Sequence, residues 1–195
     1  RKCRFEDIGR GVYTDWSGSK DFYIADNVFI GRNRSDVLMG WIGSTWKNLP
    51  GYPNRMMSEF AVKVYGSGHV VAYNYIANFH DGISHATYGD PDGAPDPVRE
   101  RLPVSIDFYN NDITNVDDNC LEADGATHNI RVLRNRCFNV AHRALSTQPV
   151  FGGPVYFIRN LVYHVPEGGA LKFMYGSSGI LVYHNTLVAP ARWML

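Results

Sequence analysis

Residues 130–138 read IRVLRNRCF and residues 155–163 read VYFIRNLVY: alternating apolar residues, an asparagine, then a second short apolar run. The same pattern recurs in FYIADNVFI (22–30), HVVAYNYIA (69–77), SIDFYNNDIT (105–114) and ILVYHNTLV (180–188). Its asparagines are Asn27, Asn74, Asn111, Asn135, Asn160 and Asn185, at steps of 47, 37, 24, 25 and 25 residues. Cys3 stands 24 residues before Asn27, precedes the similar RFEDI, and is expected to hold the same place one coil earlier. Three residues before each asparagine come Ile24, Val71, Phe108, Val132, Phe157 and Val182. Two residues after come Phe29, Ile76, Ile113, Cys137, Val162 and Leu187. These are apolar columns, and short strands of period two recurring at this interval define a solenoid of stacked coils.

A leucine-rich repeat has a similar length, but its L-x-x-L-x-L pattern and helical half are absent. The expected fold is therefore all-β, a single-stranded right-handed parallel β-helix with coils of about 24–25 residues, forming one domain over 1–195. In such a solenoid equivalent residues stack about 4.8 Å apart. An asparagine at each inward bend can pass amide hydrogen bonds to the next, so the six asparagines are expected to be structural. A second polar column, Asn78, Asn115, Asn139 and His164, lies four residues later and is expected at the next bend.

Two steps exceed a coil. The excess falls at about 39–58 and 86–102, where NLPGYPNR and YGDPDGAPDP mark insertions. Both are expected to leave the coil at a corresponding point, after the strand that follows the second bend, and to stand side by side as a wall.

Lys+Arg 19 against Asp+Glu 19 leaves no net charge and no basic run, so the sequence offers no footprint for nucleic acid. No apolar stretch reaches the roughly 18–20 residues of a membrane span. The first residue is Arg1 and the last five are Ala191-Arg192-Trp193-Met194-Leu195, so the chain reads as an excerpt of a longer protein, any targeting segment lying outside it. Cys3, Cys120 and Cys137 lack metal-site spacing and are too few for a disulfide scaffold; they are expected as small buried hydrophobes.

The fold and repeat resemble the pectin-lyase-like β-helix superfamily, which holds pectate lyases, polygalacturonases, alginate epimerases and noncatalytic surface proteins. Residues 105–149, SIDFYNNDITNVDDNCLEADGATHNIRVLRNRCFNVAHRALSTQP, look most like the bacterial right-handed β-helix repeat proteins. There is a partial likeness to the polygalacturonase family of glycoside hydrolases, which places NTDG, DDC and GHG segments on successive coils. The corresponding segments are His80-Asp81-Gly82-Ile83, Asp117-Asp118-Asn119-Cys120 and Ala141-His142-Arg143-Ala144. Asn119 interrupts the DDC-like segment, and Arg143 stands where the family has glycine. The resemblance implies a secreted, periplasmic or cell-surface protein acting on a polysaccharide or oligosaccharide.

Counted from their asparagines, Asp81, Asp118 and His142 all fall at plus seven and are expected to stack. A register set by Leu121 and Leu145 would move Asp118 and His142 one place. Neighbouring carboxylates about 5 Å apart would split their proton affinities, making an acid and a base from similar groups. Asp81, Asp118 and Glu122 are the catalytic candidates, with His142 tuning or relaying a proton. Asp117 is a candidate for substrate binding, as is His85, which falls at plus eleven with Glu122 and Ser146. Trp41, Trp46 and Tyr52 in the first insertion could pack on sugar rings, and Arg99 and Arg101 in the second could meet an acidic sugar. The plainer reading of the aspartates is as turn formers at bends.

The expected function is hydrolysis of a glycosidic bond by paired carboxylates, without a cofactor. A polysaccharide lyase or uronate C5-epimerase is the first alternative, for which Ca²⁺ held by Asp81, Asp118 and Glu122 would be suited. A noncatalytic glycan-binding scaffold is the second.

Overall fold

The computed structural model describes residues 1–16, 18–32, 58–85, 103–166 and 168–188, and these wind into a parallel β-helix. Three sheets run its length, and every strand pairing is parallel. The first sheet stacks β1 (Arg4–Ile8), β4 (Val28–Gly31), β7 (Tyr75–Phe79), β10 (Asp112–Val116), β13 (Arg136–Val140), β16 (Leu161–Tyr163) and β19 (Thr186–Val188). The second stacks β2 (Arg10–Tyr13), β5 (Phe60–Lys63), β8 (Asp81–Ser84), β11 (Asn119–Glu122), β14 (Arg143–Thr147) and β17 (Leu171–Phe173). The third stacks β3 (Tyr23–Ala25), β6 (Val70–Ala72), β9 (Val104–Tyr109), β12 (His128–Leu133), β15 (Val155–Ile158) and β18 (Ile180–Tyr183). Among the described residues no helix is long and apolar enough to cross a membrane.

The ladder asparagines sit where the third sheet turns into the first. Each Oδ1 accepts from the backbone N and the Nδ2 of the preceding asparagine; at Asn135 both bonds, from Asn111, are 3.0 Å. Each Nδ2 also donates to the carbonyl three residues before the preceding asparagine, as Asn135 does to Phe108 O at 2.9 Å. Cys3 does hold the equivalent place, its N donating to Asn27 Oδ1 at 3.1 Å. The amides are thus satisfied within the coil, and burial costs them little.

Two left-handed residues per coil make the corners sharp. The residue before each ladder asparagine has positive φ, as at Asn110 (53°), Arg134 (52°) and Arg159 (55°). So has the residue four after it: Asn78 (67°), Asn115 (54°), Asn139 (53°) and His164 (55°). Asparagine tolerates this region better than most residues, which accounts for its frequency in the second column. Asn139 and Asn115 also pass amide bonds along that column, at 3.1 and 3.3 Å.

Phe108, Val132 and Phe157 from the third sheet meet Phe29, Ile76, Ile113 and Val162 from the first in one continuous core. Val182 keeps its place in the column, opposite Phe157, but is 40% exposed because no described coil stacks beyond it.

Two expectations need correction. The insertions do not leave at corresponding points. Residues 33–57 separate β4 from β5, at the corner between first and second sheets, whereas residues 86–102 separate β8 from β9, between second and third. The reason is that Phe60–Lys63 is itself a second-sheet strand, with Phe60 opposite Asp81 and Val62 opposite Ile83. Ser58 belongs to that corner, accepting from Arg32 N at 2.7 Å. Val28 pairs directly with Tyr75, so the long step adds no coil between them.

The cysteine expectation holds in burial for Cys120 and Cys137 but not in chemistry, since the two form a disulfide with Cα atoms 6.0 Å apart. The solenoid lays the second-sheet strand of one coil against the first-sheet strand of the next, bringing together residues 17 apart in sequence. Cys3 alone is free and exposed.

Candidate functional site

At the corner between first and second sheets, Phe79 pairs with Val116 and Val116 with Val140. Beyond that row the coils differ in length. Asp117 and Asp118 precede Asn119, and Ala141 and His142 precede Arg143, but only His80 precedes Asp81. The register resumes with Ile83 opposite Leu121 and Leu121 opposite Leu145. The plus-seven column is therefore corrected: His80, Asp118 and His142 lie side by side, and Asp81 lies beside Asn119. Asp118 N donates to His80 O at 2.8 Å, and Asn119 N donates to Asp81 Oδ1 at 3.0 Å. Sequence counting had no place for His80 in the cluster, although the apolar register of Ile83, Leu121 and Leu145 would have supplied it.

His80 is enclosed by carboxylates. Its Nε2 lies 3.9 Å from Asp81 Oδ2 and 3.8 Å from Asp118 Oδ2, and its Nδ1 lies 3.5 Å from Asp117 Oδ2. Burial alone would push the imidazole down, but Asp81, Asp117 and Asp118 outweigh it and raise His80 to about 9. Asp117 is fully buried, its carboxylate behind His80. The expected role in substrate binding is therefore replaced by one as counter-charge.

The three catalytic candidates are brought together with unequal proton affinities. Burial would raise Asp118, but the His142 hydrogen bond and the His80 charge prevail and hold it below the ordinary carboxylate range. His142 Nδ1 is 2.9 Å from Asp118 Oδ1. Burial raises Asp81, more than His80 lowers it. Glu122 is pushed well above its ordinary value by burial, reinforced by the charges of Asp81, Asp124 and Asp118. Asn119 joins them, its Nδ2 donating to Glu122 Oε1 at 2.6 Å and to Asp81 Oδ1 at 3.4 Å. Side-chain exposures of 17% for Asp81 and 16% for Asp118 leave both reachable from outside.

His85 is not in this site. Ser84, not His85, stands opposite Glu122, again because the preceding corner is one residue short. The His85 ring is fully buried and stacks on Phe108 with centroids 5.6 Å apart, and burial pushes it down to about 3. It is a neutral core ring. Asp124 stands at a bend, accepting from Ser146 Oγ at 2.7 Å and Gln148 N at 2.9 Å. Trp41, Trp46, Tyr52, Arg99 and Arg101 lie outside the described residues.

One ligand atom each from His80, Asp81 and Asp118 lies within 4.8 Å of the others, close enough to share a cation. This set of one nitrogen and two oxygens suits a borderline transition-metal ion better than Ca²⁺, which takes six to eight oxygens.

The His80 shift makes stability pH-dependent. A histidine raised on folding contributes stability that is complete below about 6.5 and lost as pH rises through about 9. Urea unfolding should therefore show a fall of about 3 kcal/mol across that window. His80→Gln should flatten it; an equally steep fall in that variant would assign it elsewhere.

No protein-family model matches the chain, and no curated protein or solved structure is significantly similar to it. Fold and site define its class: a parallel β-helix with a histidine-centred carboxylate cluster at one corner.

Proposed function

We propose that this β-helix is a carbohydrate-active enzyme that hydrolyses glycosidic bonds with paired carboxylates at the corner between its first and second sheets. One observation carries the reading: two carboxyl groups of one cluster are driven apart in proton affinity, Asp118 downward, against burial, by His142 and His80, and Glu122 upward by burial. Such a split is what acid and base roles on one face require. Glu122 is the proton donor to the leaving oxygen, Asp118 the ionised partner held by His142, and Asp81 the group that sets their charge balance.

The pectin-lyase-like superfamily is the proposed kinship, on the sequence resemblance and the parallel β-helix with its asparagine ladder. The Cys120–Cys137 disulfide supports an oxidising location, hence secreted, periplasmic or cell-surface. Incubation with a panel of neutral and acidic polysaccharides tests the reading. New reducing ends on saturated products are expected. An unsaturated, ultraviolet-absorbing product would replace hydrolysis by lyase chemistry, which the cation-competent set of His80, Asp81 and Asp118 favours. Silence across the panel would leave a glycan-binding scaffold.

A further inference from the structure

At the corner between first and second sheets, three side chains are each restrained at one atom and turn another toward a common point. Asp81 Oδ1 accepts from Asn119 N at 3.0 Å and from Asn119 Nδ2 at 3.4 Å, and its Oδ2 faces His80 Nε2. Asp118 Oδ1 lies 2.9 Å from His142 Nδ1, and its Oδ2 faces the same nitrogen. His80 Nδ1 stands 3.5 Å from the fully buried Asp117 carboxylate, whose charge favours a proton on that nitrogen and leaves Nε2 for the other side.

Spacing decides what the common point can hold. Nε2 stands 3.9 Å from Asp81 Oδ2 and 3.8 Å from Asp118 Oδ2, beyond the roughly 2.7–3.2 Å of an N–H···O bond. Two ligands held by one tetrahedral ion at about 2.1 Å stand about 3.4 Å apart, so small side-chain rotations close the set. Asp117 behind His80 makes the carboxylate–histidine pairing that orients a ligating imidazole. Asn119 and His142 steady the two carboxylates from behind in the same manner. The outward exposure of Asp81 and Asp118 gives an ion its way in, and three protein ligands leave a position for water.

We infer that His80 Nε2, Asp81 Oδ2 and Asp118 Oδ2 form a binding site for one divalent transition-metal ion of the zinc class. The nitrogen selects that class: Ca²⁺ takes six to eight oxygens and Mg²⁺ keeps its waters, whereas imidazole suits Zn²⁺ and its neighbours. Asp81 and Asp118 balance the charge of the ion, Asp117 adds a third negative charge, and Lys172 and His142 flank Asp118. The ion takes the place of a proton on His80, so its binding releases one. Asp118 also serves the hydrolytic reading, but metal binding needs neither glycan nor turnover and does not rest on it.

Titration calorimetry of tag-free, chelator-washed protein with Zn²⁺ tests this. About one equivalent should bind with Kd in the micromolar range or below, and millimolar Ca²⁺ should not displace it. Co²⁺ added in place of Zn²⁺ should give the visible absorption of a bound, low-symmetry ion. Asp81→Asn keeps an oxygen for Asn119 and removes one anionic ligand. Asp117→Asn removes no ligand and releases the imidazole from its orienting charge. The second should weaken Zn²⁺ binding about 10- to 100-fold and alter the Co²⁺ spectrum, and the first should weaken binding further. His128→Gln, which removes an exposed histidine of the third sheet, should change neither. No binding by wild-type protein, displacement by Ca²⁺, or Asp81→Asn and Asp117→Asn variants that bind as tightly as wild type would overturn the inference. Binding is measured without substrate, so its failure is distinct from failure of the hydrolytic reading.

Discussion

Glu122→Gln is expected to lower turnover on any polysaccharide the protein hydrolyses by about 10²- to 10⁴-fold, the range ascribed to one acid–base group. Glutamine keeps the volume and still accepts from Asn119 Nδ2, so the fold and the Asn119 bridge survive. What it cannot do is release a proton. In the wild type, rate should fall on the acid side as Asp118 gains its proton, below the ordinary carboxylate range. It should fall on the alkaline side as Glu122 loses its own, above that range. The alkaline limb should vanish from the kcat profile of Glu122→Gln, and Asp118→Asn should remove the acid limb. Unchanged turnover in Glu122→Gln would remove it from the acid role.

Asn135→Ala is expected to cost about 3–5 kcal/mol in urea unfolding, because it strands several buried groups at once. Asn135 Oδ1 accepts from Asn111 N and Nδ2, and its Nδ2 donates to Phe108 O and to Asn160 Oδ1. Alanine leaves two Asn111 N–H groups without partners in a sealed interior and removes one of the bonds to the Phe108 carbonyl. Asn185→Ala should cost less, since Asn185 is only half-buried and water can replace its amide. Equal, small losses at both positions would show that the amide column is dispensable.

Most of the fold was legible because one residue type recurs at nearly fixed intervals. The asparagines, the apolar residues three before and two after them, and Cys3 all fall where counting puts them. Counting failed at the corner. A bend has no strand pairing to fix its length, so the missing residue between Phe79 and Asp81 passed unseen, leaving His80 out of the cluster and placing His85 beside Glu122. A count restarted from the apolar run at Ile83, Leu121 and Leu145 would have caught both. The disulfide was hidden for another reason: it crosses the interior between coils, whereas repeats align residues along columns. The first insertion was placed too late, from about 39, which put the second-sheet strand ahead of it, whereas that strand is β5 and follows it.

The ladder bonds are indifferent to how much chain separates them. Asn27 to Asn74 spans 47 residues at 2.9 Å, and Asn111 to Asn135 spans 24 at 3.0 Å. For protein engineering, this makes 33–57 and 86–102 natural grafting points. Exchange of either segment for one of different length changes the closure entropy by only about 0.6 kcal/mol per doubling. Libraries built there can vary the inserted chain while the solenoid serves as a fixed chassis.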